Sequence, residues 1–242
     1  MRGGQRLERM QVNIVLVPDM VQLDANGPYE VLARTPGWTI DFVAASLEPV
    51  RTERGLTMLP TKTRETASGS DLFVVPGGSG IDRAMLDPDW VAYTRREAER
   101  ARFVFGVCTG SLLLAASGVL EGRRAGGHWL SRALLAEFGV IPSDERTTID
   151  GKFYTSGGVT AGIDMALRVV ADLVDEATAR KIQLQIEYDP APPFVEEHQS
   201  PRHPRSRLRS ATLVASVVPS GSALLPRRLP AFGDIHAPRL LL

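Results

Sequence analysis

The sequence predicts a single α/β domain whose mostly parallel sheet is covered by helices on both faces. Two observations carry this prediction. Short, mostly apolar runs such as Val12-Asn13-Ile14-Val15-Leu16-Val17 are typical of strands buried on both faces, and they alternate with helical patterns along the chain. A third observation concerns function: one such run, Phe103-Val104-Phe105-Gly106-Val107, leads straight into Cys108-Thr109-Gly110 and an apolar helix. The sequence therefore predicts a sharp strand-to-helix turn with a cysteine at its tip.

The remaining elements follow from periodicity and turn residues. Strands are predicted at residues 12–17, 39–45, 71–75 and 103–107, with a short one at 56–61 and a hairpin at 147–155 that turns at Asp150-Gly151. Helices are predicted at residues 22–34, 90–102, 111–116, 131–138, 161–174 and 176–186. We expect Asp24 and Pro28 near the start of the first helix, an exposed polar helix at 90–102, and Thr160 as N-cap of the long helix at 161–174.

Composition limits the classes of function. The chain has 242 residues, with 28 Lys plus Arg against 28 Asp plus Glu, so the charge balance does not favour nucleic acid or acidic substrates. One cysteine forms no internal disulfide and builds no cysteine-based zinc site. No apolar run approaches the roughly 18 residues of a membrane span. We therefore expect a cytoplasmic protein with no membrane partner and no metal.

Composition also divides the chain into three parts. We predict an N-terminal extension at 1–10, followed by the α/β domain at 11–197. The alternative for the first residues is a translation start that lies upstream of the true one. Residues 198–242 contain seven Arg, six Pro and one acidic residue, which predicts a poorly ordered basic tail. A phosphate-binding arm and a shift of reading frame relative to related proteins are alternatives. The tail has no helix-turn-helix pattern, so specific binding to nucleic acid is not expected.

Cys108 is the first candidate for chemistry. Gly106 and Gly110 flank it as in the Gly-x-Ser-x-Gly nucleophile elbow, where glycines allow a close approach of neighbouring backbone. A thiol at a helix N-terminus is predicted to favour its thiolate form. The alternative is a small buried hydrophobic side chain. Its place at the carboxyl end of a strand, where open α/β sheets bind ligands, favours the nucleophile.

Two further segments are predicted at the same edge of the sheet. Pro76-Gly77-Gly78-Ser79-Gly80 follows a buried strand, and its peptide N–H groups could hold a developing anion. Asp24 follows the first strand and could exchange a proton with the thiol, or simply cap a helix. Glu30 is either part of this polar cluster or faces solvent.

His128 and the glycine-rich stretch at 157–164 are weaker candidates. His128 follows Gly126-Gly127 and could act as a base toward a thiol, or be held structurally beside Trp129. The glycines before Thr160 indicate close packing against a site, which gives that stretch a supporting role.

Together these segments resemble the ThiJ/PfpI superfamily and, within it, the isocyanide hydratase family. The matching runs are Gln22-Leu23-Asp24, Gly27-Pro28-Tyr29-Glu30-Val31-Leu32, Val75-Pro76-Gly77-Gly78-Ser79-Gly80, Gly106-Val107-Cys108-Thr109-Gly110, His128-Trp129, residues 157–164, Gln183-Leu184-Gln185, Tyr188 and Pro190-Ala191-Pro192-Pro193-Phe194. The resemblance implies a class I glutamine-amidotransferase-like domain, a flavodoxin-like three-layer sandwich, usually in a homodimer and without a metal or organic cofactor.

The resemblance also implies a reaction. In isocyanide hydratases a cysteine attacks the terminal carbon of R–N≡C, and water releases an N-substituted formamide from the covalent thioimidate. Carried over, Cys108 is the nucleophile, Asp24 donates the proton and later activates water, and Thr109 and the Gly78 backbone orient the site. His128 matches a histidine common in these proteins.

The sequence departs from the family at three places. Gly126-Gly127 stands where paired threonines are usual, which predicts a wider pocket on that side. Ala25-Asn26 replaces the usual Leu-Thr after Asp24, and the tail from His198 differs from the family's closing helical segment, so dimer contacts or a lid from that segment are in question. Alternative functions are a stress or redox protein, a protease-like or deglycase-like cysteine hydrolase, and a ligand-sensing module related to AraC-type regulators.

Overall fold

A computed structural model describes residues 9–194, which form a central sheet with helices on both faces. Seven strands form this sheet in the spatial order β10-β11-β7-β6-β1-β2-β5. The strands of the protein, in chain order, are β1 (Met10–Val15), β2 (Trp38–Ala44), β3 (Val50–Arg51), β4 (Thr57–Met58), β5 (Lys62–Thr63), β6 (Leu72–Val75), β7 (Phe103–Val107), β8 (Arg124–Ala125), β9 (Ile141–Pro142), β10 (Thr147–Asp150) and β11 (Phe153–Ser156). Only the β10–β11 pair of the sheet is antiparallel. The predicted mostly parallel sheet is confirmed.

Within residues 9–194, six α-helices and one 3₁₀ helix cover the sheet. They are α1 (Gln22–Leu32), α2 (Ile81–Ala84), α3 (Pro88–Arg100), α4 (Gly110–Ala116), α5 (Ala161–Leu173), α6 (Glu176–Gln185) and the 3₁₀ helix Arg132–Phe138. Residues of α1 and α5 share one apolar core with one face of the sheet, while α3 and α4 share a second core with the other face. These two cores make the three layers of a flavodoxin-like sandwich.

The order of the strands fixes where a ligand can bind. The chain passes from β1 to β2 on one side, and then returns to β6 on the other side of β1. The loops after β1 and β6 therefore diverge at the carboxyl edge of the sheet, which opens a crevice there. The turn after β7 lies beside the same crevice, because β7 pairs with β6.

Two glycines let helices α1 and α5 pack closely above this crevice. A Cβ atom on Gly27 would lie 3.0 Å from Ile163, and one on Gly162 would lie 3.0 Å from Val107. The close contact holds α1 against the end of β7, which brings Asp24 toward Cys108.

Several predictions about individual elements need correction. The helix predicted at residues 131–138 begins one residue later, as the 3₁₀ helix Arg132–Phe138. Helix α3 is not an exposed polar helix, because Trp90 and Tyr93 are buried in the core. Met10, predicted as the end of an N-terminal extension, opens β1, where it pairs with Trp38.

The helix ends follow their sequence signals unevenly. Asp87 caps α3 by accepting a hydrogen bond from the Asp89 N–H at 2.9 Å, and Pro88 follows at the first helical position. Thr160 stands at the predicted N-cap of α5, but its side chain makes no cap hydrogen bond. Pro28 lies in the interior of α1 instead of near its start. The predicted tail at 198–242 and the first eight residues lie outside the described part of the chain.

Candidate functional site

Cys108 stands at the tip of a strained turn between β7 and α4. Its φ angle is +58°, in the left-handed region that non-glycine residues rarely adopt. Its peptide N–H donates to the carbonyl oxygens of Ser156 at 3.2 Å and Gly157 at 3.1 Å, which ties the turn to the end of β11. The arrangement matches the predicted elbow.

Gly110 makes the elbow possible. A Cβ atom there would lie 2.0 Å from the carbonyl oxygen of Val75, a distance that no side chain can occupy. A Cβ on Gly106 would lie 2.9 Å from Leu114 and 3.0 Å from Ser111 Oγ. The prediction that these glycines permit close backbone approach is confirmed, and the stricter requirement falls on Gly110.

Asp24 reaches the elbow from the first turn of α1. Its side chain is fully buried, and Oδ2 accepts a hydrogen bond from the Gly77 peptide N–H at 3.0 Å. Among the described groups, Oδ1 has no hydrogen-bond partner. The side chain therefore joins the turn after β6 instead of capping its own helix.

Burial changes the protonation of this carboxyl group. Desolvation raises the pKa of Asp24 from 3.8 to about 7, since the charged form loses its hydration. The hydrogen bond from Gly77 and the interaction with the Cys108 thiol lower this pKa in part, and the nearby charge of Glu53 raises it. Asp24 is therefore able to hold or release a proton near neutral pH.

The thiol itself is neutral in this environment. Cys108 is 4% exposed, and burial raises the pKa of its thiol well above the usual range, with a further rise from the charge of Asp24. Peptide N–H groups of Val159 and Thr109 donate to the sulfur and lower that pKa in part. The prediction that the helix N-terminus favours the thiolate is wrong for the resting protein, because desolvation outweighs it.

Thr109 joins the elbow to the glycine turn. Its Oγ1 accepts a hydrogen bond from the Gly78 N–H at 2.8 Å and lies 3.1 Å from the Gly78 carbonyl oxygen, to which it can donate. The turn after β6 thus uses the N–H groups of Gly77 and Gly78 to hold two side chains, Asp24 and Thr109. We predicted these N–H groups as donors to a developing anion, but both are already engaged here.

The glycines of this turn are required by the close approach of its neighbours. A Cβ on Gly77 would lie 2.5 Å from the Thr109 N atom and 2.9 Å from Asp24 Oδ2. Gly78 has a φ angle of +129°, and its added Cβ would lie 2.5 Å from the Val21 N atom. The turn therefore lies tightly against both Asp24 and Thr109.

His128 lies beside the elbow through its backbone. Its peptide N–H donates to the Cys108 carbonyl oxygen at 3.3 Å. The ring packs on Gly158, whose added Cβ would lie 2.6 Å from His128 Cδ2, and its Nδ1 accepts from the Leu130 N–H at 3.4 Å. The ring is also 5.9 Å from that of Trp129. These contacts describe a histidine that supports the wall of the site.

Contacts also describe two other candidates from the sequence. Gly126 and Gly127 are buried, and an added Cβ would lie 3.2 Å from Thr148 Oγ1 and 3.2 Å from the Cys108 carbonyl oxygen, respectively. Glu30 faces solvent and pairs with Arg34.

Sequence reasoning missed the roles of Val159 and Glu53. Val159 donates its N–H to the thiol, and the signal for it was the preceding Gly157-Gly158 pair. Glu53 affects Asp24 by its charge, and it accepts from the Ser79 N–H at 3.3 Å. It lies in the loop between β3 and β4, where no motif marks it.

Comparison with known proteins places the chain among proteins that share this elbow fold. Residues 10–172 match the model of the DJ-1/PfpI family, and the chain belongs to this family. It is 45% identical over 185 residues to isonitrile hydratase of Pseudomonas putida, a match that covers 76% of this chain and 81% of that protein.

A solved structure and a regulator give further comparisons. The crystal structure of a ThiJ/PfpI family protein from Pseudomonas syringae superposes with a TM-score of 0.79 at 35% identity, covering 87% of this chain and 90% of the other. The HTH-type transcriptional regulator CdhR of Pseudomonas aeruginosa is 31% identical over 166 residues, 68% of this chain but 47% of the regulator.

One negative observation belongs with the site. Within residues 9–194, no helix is long and apolar enough to cross a membrane.

Proposed function

We propose that this protein is an isocyanide hydratase, a lyase that converts R–N≡C to the N-substituted formamide R–NH–CHO. The observation that carries the proposal is the contact between a buried carboxyl whose pKa is about 7 and the single cysteine at the elbow. The 45% identity to isonitrile hydratase of Pseudomonas putida supports the same reaction.

The first step follows from the order of the two pKa values. Because Asp24 loses its proton before the thiol does, the form of the pair that holds one proton carries it on sulfur. As the sulfur of Cys108 bonds to the terminal carbon of the isocyanide, Asp24 accepts the thiol proton and passes it to that carbon. The product is a thioimidate, R–N=CH–S–Cys108, and the sum of atoms is unchanged.

The second step uses the same carboxyl group in reverse. Asp24 accepts a proton from water as the oxygen adds to the thioimidate carbon, and the proton goes to nitrogen. Collapse of the adduct R–NH–CH(OH)–S–Cys108 breaks the C–S bond, releases R–NH–CHO and transfers the hydroxyl proton of the adduct to the sulfur of Cys108. No redox change occurs in either step.

Backbone groups and Thr109 assist both steps. The N–H groups of Val159 and Thr109 point to the sulfur, and they stabilise the negative charge that develops there as the thiol proton leaves. The Thr109 hydroxyl, held by Gly78, fixes the elbow against the turn that carries Asp24. Gly77, Gly78 and His128 therefore act by holding the site together.

The proposal is tested with purified protein and cyclohexyl isocyanide, following formamide by chromatography. We expect turnover by the wild type and loss of at least about 1,000-fold in kcat/KM for Cys108→Ala, since the covalent step is removed. A matched control is Ser117→Ala, a small buried residue at the far end of α4. No formamide from the wild type, or equal rates from Cys108→Ala, would contradict the proposal.

A second candidate function is ligand sensing, which the similarity to regulators such as CdhR supports. Specific retardation of DNA fragments in a gel-shift experiment across a range of salt would favour it. Stress or redox functions and protease-like or deglycase-like activity are further alternatives. We also propose a homodimer and a cytoplasmic location, for which light scattering and cell fractionation are the tests.

A further inference from the structure

The loop before helix α5 places a peptide N–H against the thiol in an unfavourable backbone conformation. Val159 has a φ angle of +26°, although its side chain is β-branched. Such a conformation persists only where the surrounding structure enforces it. The loop contacts Cys108 directly, because the Cys108 N–H donates a hydrogen bond to the Gly157 carbonyl oxygen at 3.1 Å. The backbone of Val159 also lowers the pKa of the thiol in part, so whatever holds this loop also sets the environment of the thiol.

The N-terminal side of the loop is held by Arg146. Its carbonyl oxygen accepts a hydrogen bond from the Gly157 N–H at 2.9 Å. The Gly157 carbonyl oxygen in turn accepts a hydrogen bond from the Cys108 N–H at 3.1 Å. The guanidinium group of Arg146 crosses the loop, pairs with the carboxylate of Asp164 and donates to Thr160 Oγ1 at 3.3 Å. One residue thus contacts the chain both before and after Val159.

The C-terminal side of the loop is held by Tyr188, which follows the C-terminal end of α6. Tyr188 donates its hydroxyl proton to Asp164 Oδ1 at 2.7 Å. Its backbone is fixed by Gln183, whose carbonyl oxygen accepts from the Tyr188 N–H at 3.0 Å and whose side-chain amide donates to the Tyr188 carbonyl oxygen at 3.2 Å. The Gln183 and Tyr188 motif of the sequence therefore ends at the loop beside the thiol.

We propose that the Tyr188 cluster, defined as Arg146, Asp164 and Tyr188, holds the loop at 157–159 against Cys108 and so sets the reactivity of the thiol. Its members touch no reacting atom, so they are positioning residues. An exposed ion pair alone contributes little, and half of the Arg146 side chain surface is exposed. The role therefore rests on Asp164, which accepts from both Arg146 and Tyr188 and fixes the first turn of α5.

Alkylation of the single cysteine by iodoacetamide measures this reactivity directly. We expect Tyr188→Phe and Asp164→Asn to slow alkylation by about three- to tenfold at every pH between 6 and 9, because a misplaced Val159 N–H stabilises the thiolate less. The pH at which the rate rises stays that of the wild type, because Asp24 keeps its surroundings. Arg180→Gln removes an exposed ion pair with Glu176 on α6 and serves as the control, with the wild-type rate.

Two results would overturn the proposal. Rates equal to the wild type in both variants contradict it, and so does a slower rate accompanied by a shifted pH midpoint, which indicates general loosening around Asp24. If Tyr188→Phe does not fold, Asp164→Asn and Arg146→Gln carry the same test. The proposal rests on the nucleophile of the proposed function, but iodoacetamide needs no hydratase activity. Slowed alkylation without formamide synthesis would therefore reject the hydratase and keep the cluster.

Discussion

The buried carboxyl of Asp24 gives the most quantitative prediction. A group whose pKa is higher in the folded than in the unfolded protein stabilises the fold when protonated, and this contribution is lost as pH rises through the folded pKa. The folded value is about 7 and the ordinary value is 3.8, a difference of about 3 units. At 1.36 kcal/mol per unit, Asp24 lowers the free energy of unfolding by ~4 kcal/mol between pH 4 and pH 8.

Asp24→Asn removes this titration while keeping an oxygen to accept from the Gly77 N–H. We expect the free energy of unfolding of the variant to exceed that of the wild type by about 2 to 4 kcal/mol more at pH 8 than at pH 4.5. Urea denaturation at a series of pH values, followed by circular dichroism, measures the difference. Glu48→Gln, which removes an exposed carboxyl, is the control and leaves the pH dependence unchanged.

Parallel curves for the wild type and Asp24→Asn would refute the reasoning. They would show that Asp24 titrates alike in the folded and unfolded chain. The proton transfer assigned to it near neutral pH would then lose its basis.

Other predictions concern the same site. The rate of alkylation of Cys108 by iodoacetamide should rise through pH 7 as Asp24 becomes a base, and a profile that is flat from pH 6 to 8 would contradict this role. Peroxide should oxidise Cys108 slowly, at a rate near that of an unperturbed thiol or below it, because oxidation follows thiolate character and exposure; rapid sulfenic acid formation seen by mass spectrometry would favour the redox alternative. Gly77→Ala should cost at least ~2 kcal/mol of stability and lower kcat by more than tenfold, because its Cβ collides with Thr109; unchanged melting and kinetics would contradict the packing of the turn.

Much of the fold was predictable from the sequence because its signals are local. Continuous apolar runs mark strands buried on both faces, and the strand Phe103–Val107 was predicted with the bounds that the structure gives it. The hairpin at Asp150-Gly151 followed from its turn residues. The burial of Trp90 was missed because polar residues surround it in α3. They dominate the average hydropathy of a helix that has one apolar face.

The site was predictable only as a list of residues near one edge of the sheet. That Cys108, Asp24, Thr109 and the turn at 77–78 come together follows from strand order, and the structure brings them together. The protonation states did not follow, because desolvation depends on how completely the packing of α1 and α5 covers the site. The N–H of Val159 was not predicted as a donor, because a backbone donor leaves no mark in the identity of its residue. The preceding Gly157-Gly158 pair indicated only close packing there.

The covalent intermediate is the most direct test of the account. Wild-type protein and Asp24→Asn are mixed with cyclohexyl isocyanide, quenched in acid within one turnover and analysed by intact mass and peptide mapping. Covalent catalysis by Cys108, the chain's single cysteine, predicts an adduct on the peptide that carries this residue. The mass of the adduct equals the full mass of the isocyanide. Formamide synthesis without any adduct, or at the wild-type rate in Cys108→Ser, would contradict covalent catalysis by this thiol.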